Sequence, residues 1–411
     1  MSLLQKGVLI FGSTLLFGKW LSSVRFVFSG ADLISEAAEK AGEAPFAIPA
    51  LAEYQVLVTS KEGIRELTEC DEGRLSFHKA MEDRLLHKHT MFGFQHNDID
   101  PHDSIPNRVL KVKLRTHLPH LEGKMQEMIG EVFEEELGRK PIADGWSSVS
   151  AFYLAKIMTG RINNLILFGE DLARDQEFAE AAMRYSHDVV ITMEICRQLP
   201  SFCVPIVAPL MMGWSGAMKK VARFLTPLVE RRLQRPNCIK WVIDSCHTPR
   251  QRTVTRIVQQ MIALLMASAH QMPMALFYAI FSLCIYPEYI APLCAEIAQN
   301  FNADAEDSCK NLPLLDSFLR ESARLNPLDA LSIQRKALIP FTFLNGSHVP
   351  AGNLVAVPQQ TLMRNYQLYT DADRFDGFRF VRPRNADEEA EIRFTDVKWE
   401  FPYWGSTRKA W

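Results

Sequence analysis

The 411-residue chain has no C-x-x-C pair, and its eight cysteines follow no regular metal-ligand spacing. A cysteine-built metal framework is therefore not expected, and the thiols read as mostly reduced, on the cytosolic side of any membrane. An excess of either charge is also missing. The net charge of -2 gives no electrostatic reason to expect nucleic acid as a partner. No low-complexity linker divides the chain, so one large domain, or two intimate ones, is expected, and 47% hydrophobic residues suffice for a sizeable core. Neither N-terminal apolar run, Gly7 to Phe17 or the one ending at Phe28, reaches the ~20 residues that span a bilayer. Residues 1–30 are read as a short or tilted membrane anchor with a snorkelling Lys19, ahead of a single domain over 31–411.

Histidines are concentrated between His78 and His120, but pairs such as His87-x-His89 and His117-Leu-Pro-His120 lack the H-E-x-x-H arrangement that puts two ligands and a base on one helical face. A metal site is not expected there. What the chain does contain is mainly α with a small β region, an α+β class. Pro45 to Pro49 followed by Tyr54 to Thr59 reads as a strand entering a small sheet, and Lys61 to Leu67 as a helix capped by Ser60. Apolar periodicity predicts helices over Arg108–Leu137, with breaks at its His and Pro residues, and over Ser150–Leu167, Glu177–Leu199 and Met218–Leu233. The cluster Arg108, Lys111, Lys113 and Arg115 reads first as a solvated helix face.

Thr253 to Ile285 is a long apolar helix in which His270 and Gln271 fall mid-helix and Pro273 removes an N–H donor. It reads either as a kinked core helix with a satisfied histidine or as a loosened turn with room for a ligand beside Ala267, Ser268 and Ala269. Glu321 and Arg324, three apart on the next helix, face one side and are able to pair. After them come a strand-like run Leu338–Leu344, a turn from Asn345 to Gly352, a strand Leu354–Val357 and the aromatic-flanked Arg379 in Phe375–Phe380. The final stretch is Phe401-Pro-Tyr-Trp-Gly-Ser-Thr-Arg-Lys-Ala-Trp411, a small turn with a basic pair between aromatics.

That order of features resembles the cytochrome P450 family of haem-thiolate monooxygenases, in its fungal, microsomal, secondary-metabolism branch. Glu321-x-x-Arg324 is similar to the family's E-x-x-R helix, Arg379 to the arginine that completes its Glu-Arg-Arg lock, and Trp404 to Ala410 to the approach to the haem-ligating cysteine. The resemblance implies a P450-like fold and a haem cofactor. It also implies an NADPH-dependent P450 reductase as electron source, a small apolar substrate of terpenoid or polyketide type, and the cytosolic face of the endoplasmic reticulum membrane. It implies that Lys409 meets a haem propionate, with Arg408, Arg108, Lys111 and Arg335 as further donors, and that His270 and Gln271 occupy the oxygen-activating turn.

The chain departs from the family pattern at three places. Gln271 stands where the family has threonine, Thr407 where it usually has glycine, and Trp411 where the ligand cysteine belongs, with no other cysteine near that position. Indole has no anionic sulfur, so the chain as written is expected to be inactive as a haem-thiolate enzyme, leaving a binding or interaction protein as the alternative. A cysteine codon split after TG and followed by a retained intron beginning GTAA or GTGA reads as Trp and then stop. The locus is accordingly expected to encode a longer enzyme with cysteine at this position.

Overall fold

The structure is a computed structural model and describes residues 25–26, 28–49, 54–94, 109–139, 144–232, 238–301, 311–381 and 393–406. The anchor expected over 1–30 lies almost wholly outside the described residues. So do Arg108, Thr407, Arg408, Lys409 and Trp411, and the side chain of Lys111.

The chain forms two compact units, one from residues up to Asp83 together with Arg320 onward, the other from Arg84 to Leu319. In chain order the first unit opens with helix α1 (28–41), strands β1 (Phe46–Pro49) and β2 (Tyr54–Leu57), helix α2 (Lys61–Glu69) and strand β3 (Leu75–Ser76). The Ser60 hydroxyl accepts from the Gly63 N–H, so α2 starts where the sequence places its cap. Helix α3 (Phe77–Leu85) leads into the second unit.

The second unit is helical. A π-turn, Val109–Leu114, and a short turn at Pro119 precede α4 (Glu122–Gly138), so the predicted long helix is interrupted where a proline cannot continue it. Then follow α5 (Ala151–Phe168), capped by Ser150, and α6 (Gln176–Arg197), capped by Asp175. After these come α7 (Val204–Trp214), α8 (Ala217–Arg232), α9 (Cys238–Asp244), α10 (Val254–Ser268), α11 (Gln271–Ile285) and α12 (Ile290–Asn300). Their core joins Phe168, Phe178, Tyr185, Val221, Leu225, Met261 and Ile262, none of which reaches solvent. Val254 to Ile285 is the one described stretch long and apolar enough to cross a bilayer. It is broken at 269–270, and its first half contributes Ile257, Val258, Met261 and Ile262 to this core.

Helix α13 (Pro313–Leu325) carries the chain back into the first unit, which continues with β4 (Ser332–Ala337), β5 (Phe341–Thr342), β6 (His348–Val349), β7 (Leu354–Val357) and helix α14 (Gln359–Met363). The strand expected over Leu338–Leu344 is found displaced: pairing occupies 332–337 and 341–342 instead. Polar Gln334, Arg335 and Lys336 hide the first of these from a hydrophobicity reading. The five-stranded sheet has the order β1-β2-β7-β4-β3, with β2 and β7 parallel and the other pairs antiparallel. Its side chains Val56, Leu75, Ile333, Val355 and Val357 pack with Ile64 and Leu67 of α2. One extra residue bulges β4 between Ser332 and Arg335, and Ile333 within it has φ +49, a conformation a β-branched residue rarely adopts.

Candidate functional site

The first unit is organised around a buried ion cluster. An i, i+3 spacing on α13 sets Glu321 and Arg324 side by side, and neither reaches solvent. Arg324 donates from Nε to Glu321 Oε2 at 2.7 Å and from Nη2 to Oε1 at 2.9 Å. Its Nη1 donates to the carbonyls of Met363 and Ala372 at 2.7 and 2.6 Å. Arg379 Nε donates to both Glu321 oxygens at 3.1 Å, and the Asp376 N–H reaches Oε1 at 3.0 Å. Three residues that the sequence separates by up to 58 positions are thus in one contact. Each guanidinium also takes loop carbonyls, Arg379 those of Thr370 and Arg374, so the pair pins the irregular 363–379 segment to a helix.

Beside this lock lies a cation that the sequence reading missed. Arg320 is buried, donates to the carbonyls of Arg393 and Asp396 at 3.0 Å each, and stands 3.9 Å over the Phe401 ring. It ties α13 to the stretch leading into Pro402–Trp404. Trp404 closes the same segment by donating its indole N–H to Phe394 O at 3.0 Å. Gly405 follows at φ +100, where a side chain would be strained. Only an unusually placed charge beside E-x-x-R was available in the sequence as a signal for Arg320.

Arg335 lies on β4 just past the bulge, which turns the strand locally. It is buried, with its guanidinium 5.1 Å from the Phe77 ring centre, and donates to Gln334 O at 2.9 Å, while its Nε has no partner. Burial pulls its pKa below the ordinary guanidinium range, opposed by nearby Glu72 and Cys70. A buried guanidinium with an unused donor has the chemistry of an anion receptor.

In the second unit, His270 and Gln271 stand at the interruption between α10 and α11, His270 as the N-cap and Gln271 as the first residue of α11. Pro273 sits in the first turn of α11, so the break falls just ahead of the proline rather than on it. His270 Nε2 is 3.2 Å from the carbonyl of Ser186 on α6. A carbonyl only accepts, so Nε2 carries the hydrogen and Nδ1 keeps the lone pair. Burial holds the imidazole pKa below its usual 6.5; the Ser186 contact raises it, and Lys156 and His187 push it further down. The same burial favours the neutral ring, and in that form the Ser186 contact selects the Nε2–H tautomer.

Known proteins similar to this chain give the family. A cytochrome P450 family model matches residues 82–394. This chain is a cytochrome P450. It is 28% identical to a cytochrome P450 monooxygenase, olcJ, of Penicillium canescens, over 90% of this chain and 72% of that protein. It is 29% identical to the monooxygenase terQ of Tolypocladium album, with the same two coverages, and 26% identical to an ent-kaurene oxidase of Gibberella fujikuroi, over 90% of this chain and 75% of that one. Among solved structures, the retinoic-acid-bound cyanobacterial CYP120A1 superposes with TM-score 0.69 at 16% identity, covering 93% of this chain and 83% of that one. A zebrafish cytochrome P450 solved with abiraterone gives 0.66. The fold of this P450 is therefore the α+β P450 fold, and its relatives are fungal monooxygenases.

The family implies haem, and the residues present fit it unevenly. The buried, partly unpartnered Arg335 suits a carboxylate such as a propionate. On the iron side the donor chemistry does not fit. Trp411 occupies the position that resembles the ligand site, and an indole N–H donates without offering a lone pair in place of a thiolate. The matched residues end at 394, ahead of that turn.

Proposed function

We propose that this P450 is a membrane-associated monooxygenase of fungal secondary metabolism that oxidises or hydroxylates an apolar terpenoid or polyketide-derived compound. Haem would supply the oxygen chemistry, and an NADPH-dependent P450 reductase the electrons. The observation that carries the reading is the Glu321–Arg324–Arg379 cluster, a buried charge network whose geometry serves to fix a loop rather than to stabilise a core. Arg335 would hold the anionic edge of the cofactor, with Arg108, Lys111, Arg408 and Lys409 as further donors, and the basic residues near Arg108 would also suit an acidic redox partner. His270 would hold a proton at Nε2 and accept one at Nδ1, and Gln271 would hold a water. The ent-kaurene oxidase relatives support the terpenoid class.

Association with the cytosolic face of the endoplasmic reticulum membrane is supported by α7 as well as by the expected N-terminal anchor. Phe202, Ile206, Leu210 and Trp214 recur every fourth residue and are 65–91% exposed, and no charged residue interrupts Val204–Trp214. Such a stripe, aromatic at both ends, suits the interfacial layer of a bilayer.

Trp411 favours a second reading for the polypeptide as written: a P450-like protein without monooxygenase activity that binds a lipid or a partner. The reduced, carbon-monoxide-bound absorption spectrum separates the two. The first reading for the locus expects a thiolate-type Soret band after Trp411→Cys in the reading frame continued downstream, and none from the chain as written. A thiolate-type band from the unaltered chain would remove the second reading, and none from the restored one would remove the first.

A further inference from the structure

We propose that Asn163, on α5, is the positioning residue that holds open the α10–α11 break. In a continuous helix the Ser268 carbonyl accepts from the Met272 N–H, four residues on, and the Ala269 carbonyl from residue 273. Pro273 removes only the second of these bonds. A proline kink by itself therefore leaves Ser268 bonded within the helix. Here α10 ends at Ser268 and α11 starts at Gln271, and the Ser268 carbonyl is taken from outside, by Asn163 Nδ2 at 3.0 Å. A carbonyl only accepts, so the amide nitrogen of Asn163 faces it. The Ser268 hydroxyl turns back to Leu265 O at 3.1 Å and does not compete for this role.

The flanking bonds show the ladder adapting to the same gap. The Ala269 N–H takes Met266 O, three residues back, and the Met274 N–H takes His270 O, both at 3.3 Å. On the far side His270 Nε2 meets Ser186 O of α6. The break is thus held between two helices, by a side-chain donor from α5 and a backbone acceptor from α6. It opens beside a cleft of about 90 Å³ whose lining includes Lys156, Gly160, Asn163, Asn164, Ser186 and Ala269. Gly160 leaves open space one turn before Asn163, and Asn164 Oδ1 is buried without a partner. The consequence for His270 rests on its proposed role as proton holder: Asn163 fixes the backbone that presents the ring to Ser186, and so fixes which nitrogen is free.

The test compares hydrogen–deuterium exchange across 266–276 with ¹⁵N spectra of histidine-labelled full chain, in Asn163→Leu, Pro273→Ala and the double variant. The His270→Gln variant assigns the His270 signals. Asn163→Leu is expected to slow exchange at Met272 by at least ~5-fold, as Ser268 O recaptures that N–H, and to abolish the Nε2–H signature of His270. Pro273→Ala alone is expected to leave both unchanged, while the double variant closes the helix. Closure by Pro273→Ala alone, or unchanged or faster Met272 exchange in Asn163→Leu, overturns the proposal. Should Asn163→Leu fail to fold, the Pro273→Ala result still decides between proline and asparagine as the cause. If the break responds as stated while the His270 signature does not, Asn163 positions the backbone and the proton reading of His270 is what fails.

Discussion

Arg324 donates to both carboxylate oxygens of Glu321, at 2.7 and 2.9 Å, with neither residue exposed to solvent. Removing one partner leaves the other desolvated and uncompensated, and the surviving loop carbonyls lose their donor. Arg324→Met is expected to cost about 3–5 kcal/mol of stability, read as a fall in the urea midpoint. The double variant Glu321→Gln/Arg324→Met should cost less than the sum of the singles, because they share one interaction. Additive losses would show that the two residues are energetically independent.

Arg335 has a buried Nε with no partner. If it receives an anionic edge of haem, titration of the purified chain with haemin should show binding about 10–100-fold weaker in Arg335→Gln, the effect of one lost charge-assisted hydrogen bond. Arg335→Lys should fall between, keeping charge and losing the planar fork. Equal affinity in all three would assign Arg335 to folding alone.

Burial lowers the folded-state pKa of His270 from 6.5. As pH falls, the unfolded chain takes up this proton first. The neutral ring's contribution is therefore complete above about 6.5 and is lost as pH drops from there towards the folded value, beyond which no more is lost. Chemical denaturation between about pH 7.5 and 5 should give a shallower decline for His270→Gln than for the parent chain. His89, whose pKa burial also lowers, contributes in the same sense and should preserve part of the slope.

The stripe on α7 predicts interfacial binding. Ile206→Glu with Leu210→Glu, at side chains already exposed, should leave the urea midpoint nearly unchanged. Binding to phosphatidylcholine vesicles in flotation should fall at least about tenfold, since burying each apolar side chain is worth ~1.5–3 kcal/mol. Unaltered flotation would place the membrane contact elsewhere.

Much of the helical framework was legible because its signals are local. Ser60 and Ser150 mark helix starts by accepting a nearby N–H, and the break around His270 is announced by a proline in an apolar run. Strand β4 was not legible: Gln334, Arg335 and Lys336 interrupt the apolar alternation, and the bulge at Ile333 shifts the register. Nor was Arg320, whose partners are the carbonyls of residues more than seventy positions away.

By itself the sequence determined the mainly α class, the i, i+3 pairing of Glu321 with Arg324, and the chemical identity of position 411, since each depends on neighbouring residues or on none. Tertiary structure decided that Arg379 completes that pair, that Arg335 is left with an unused donor, and that Asn163 takes the Ser268 carbonyl. The first and last of these contacts join residues 58 and 105 positions apart, and the unused donor depends on burial by distant segments. Their hydrogen-bond partners are chosen by packing, which no local spacing encodes.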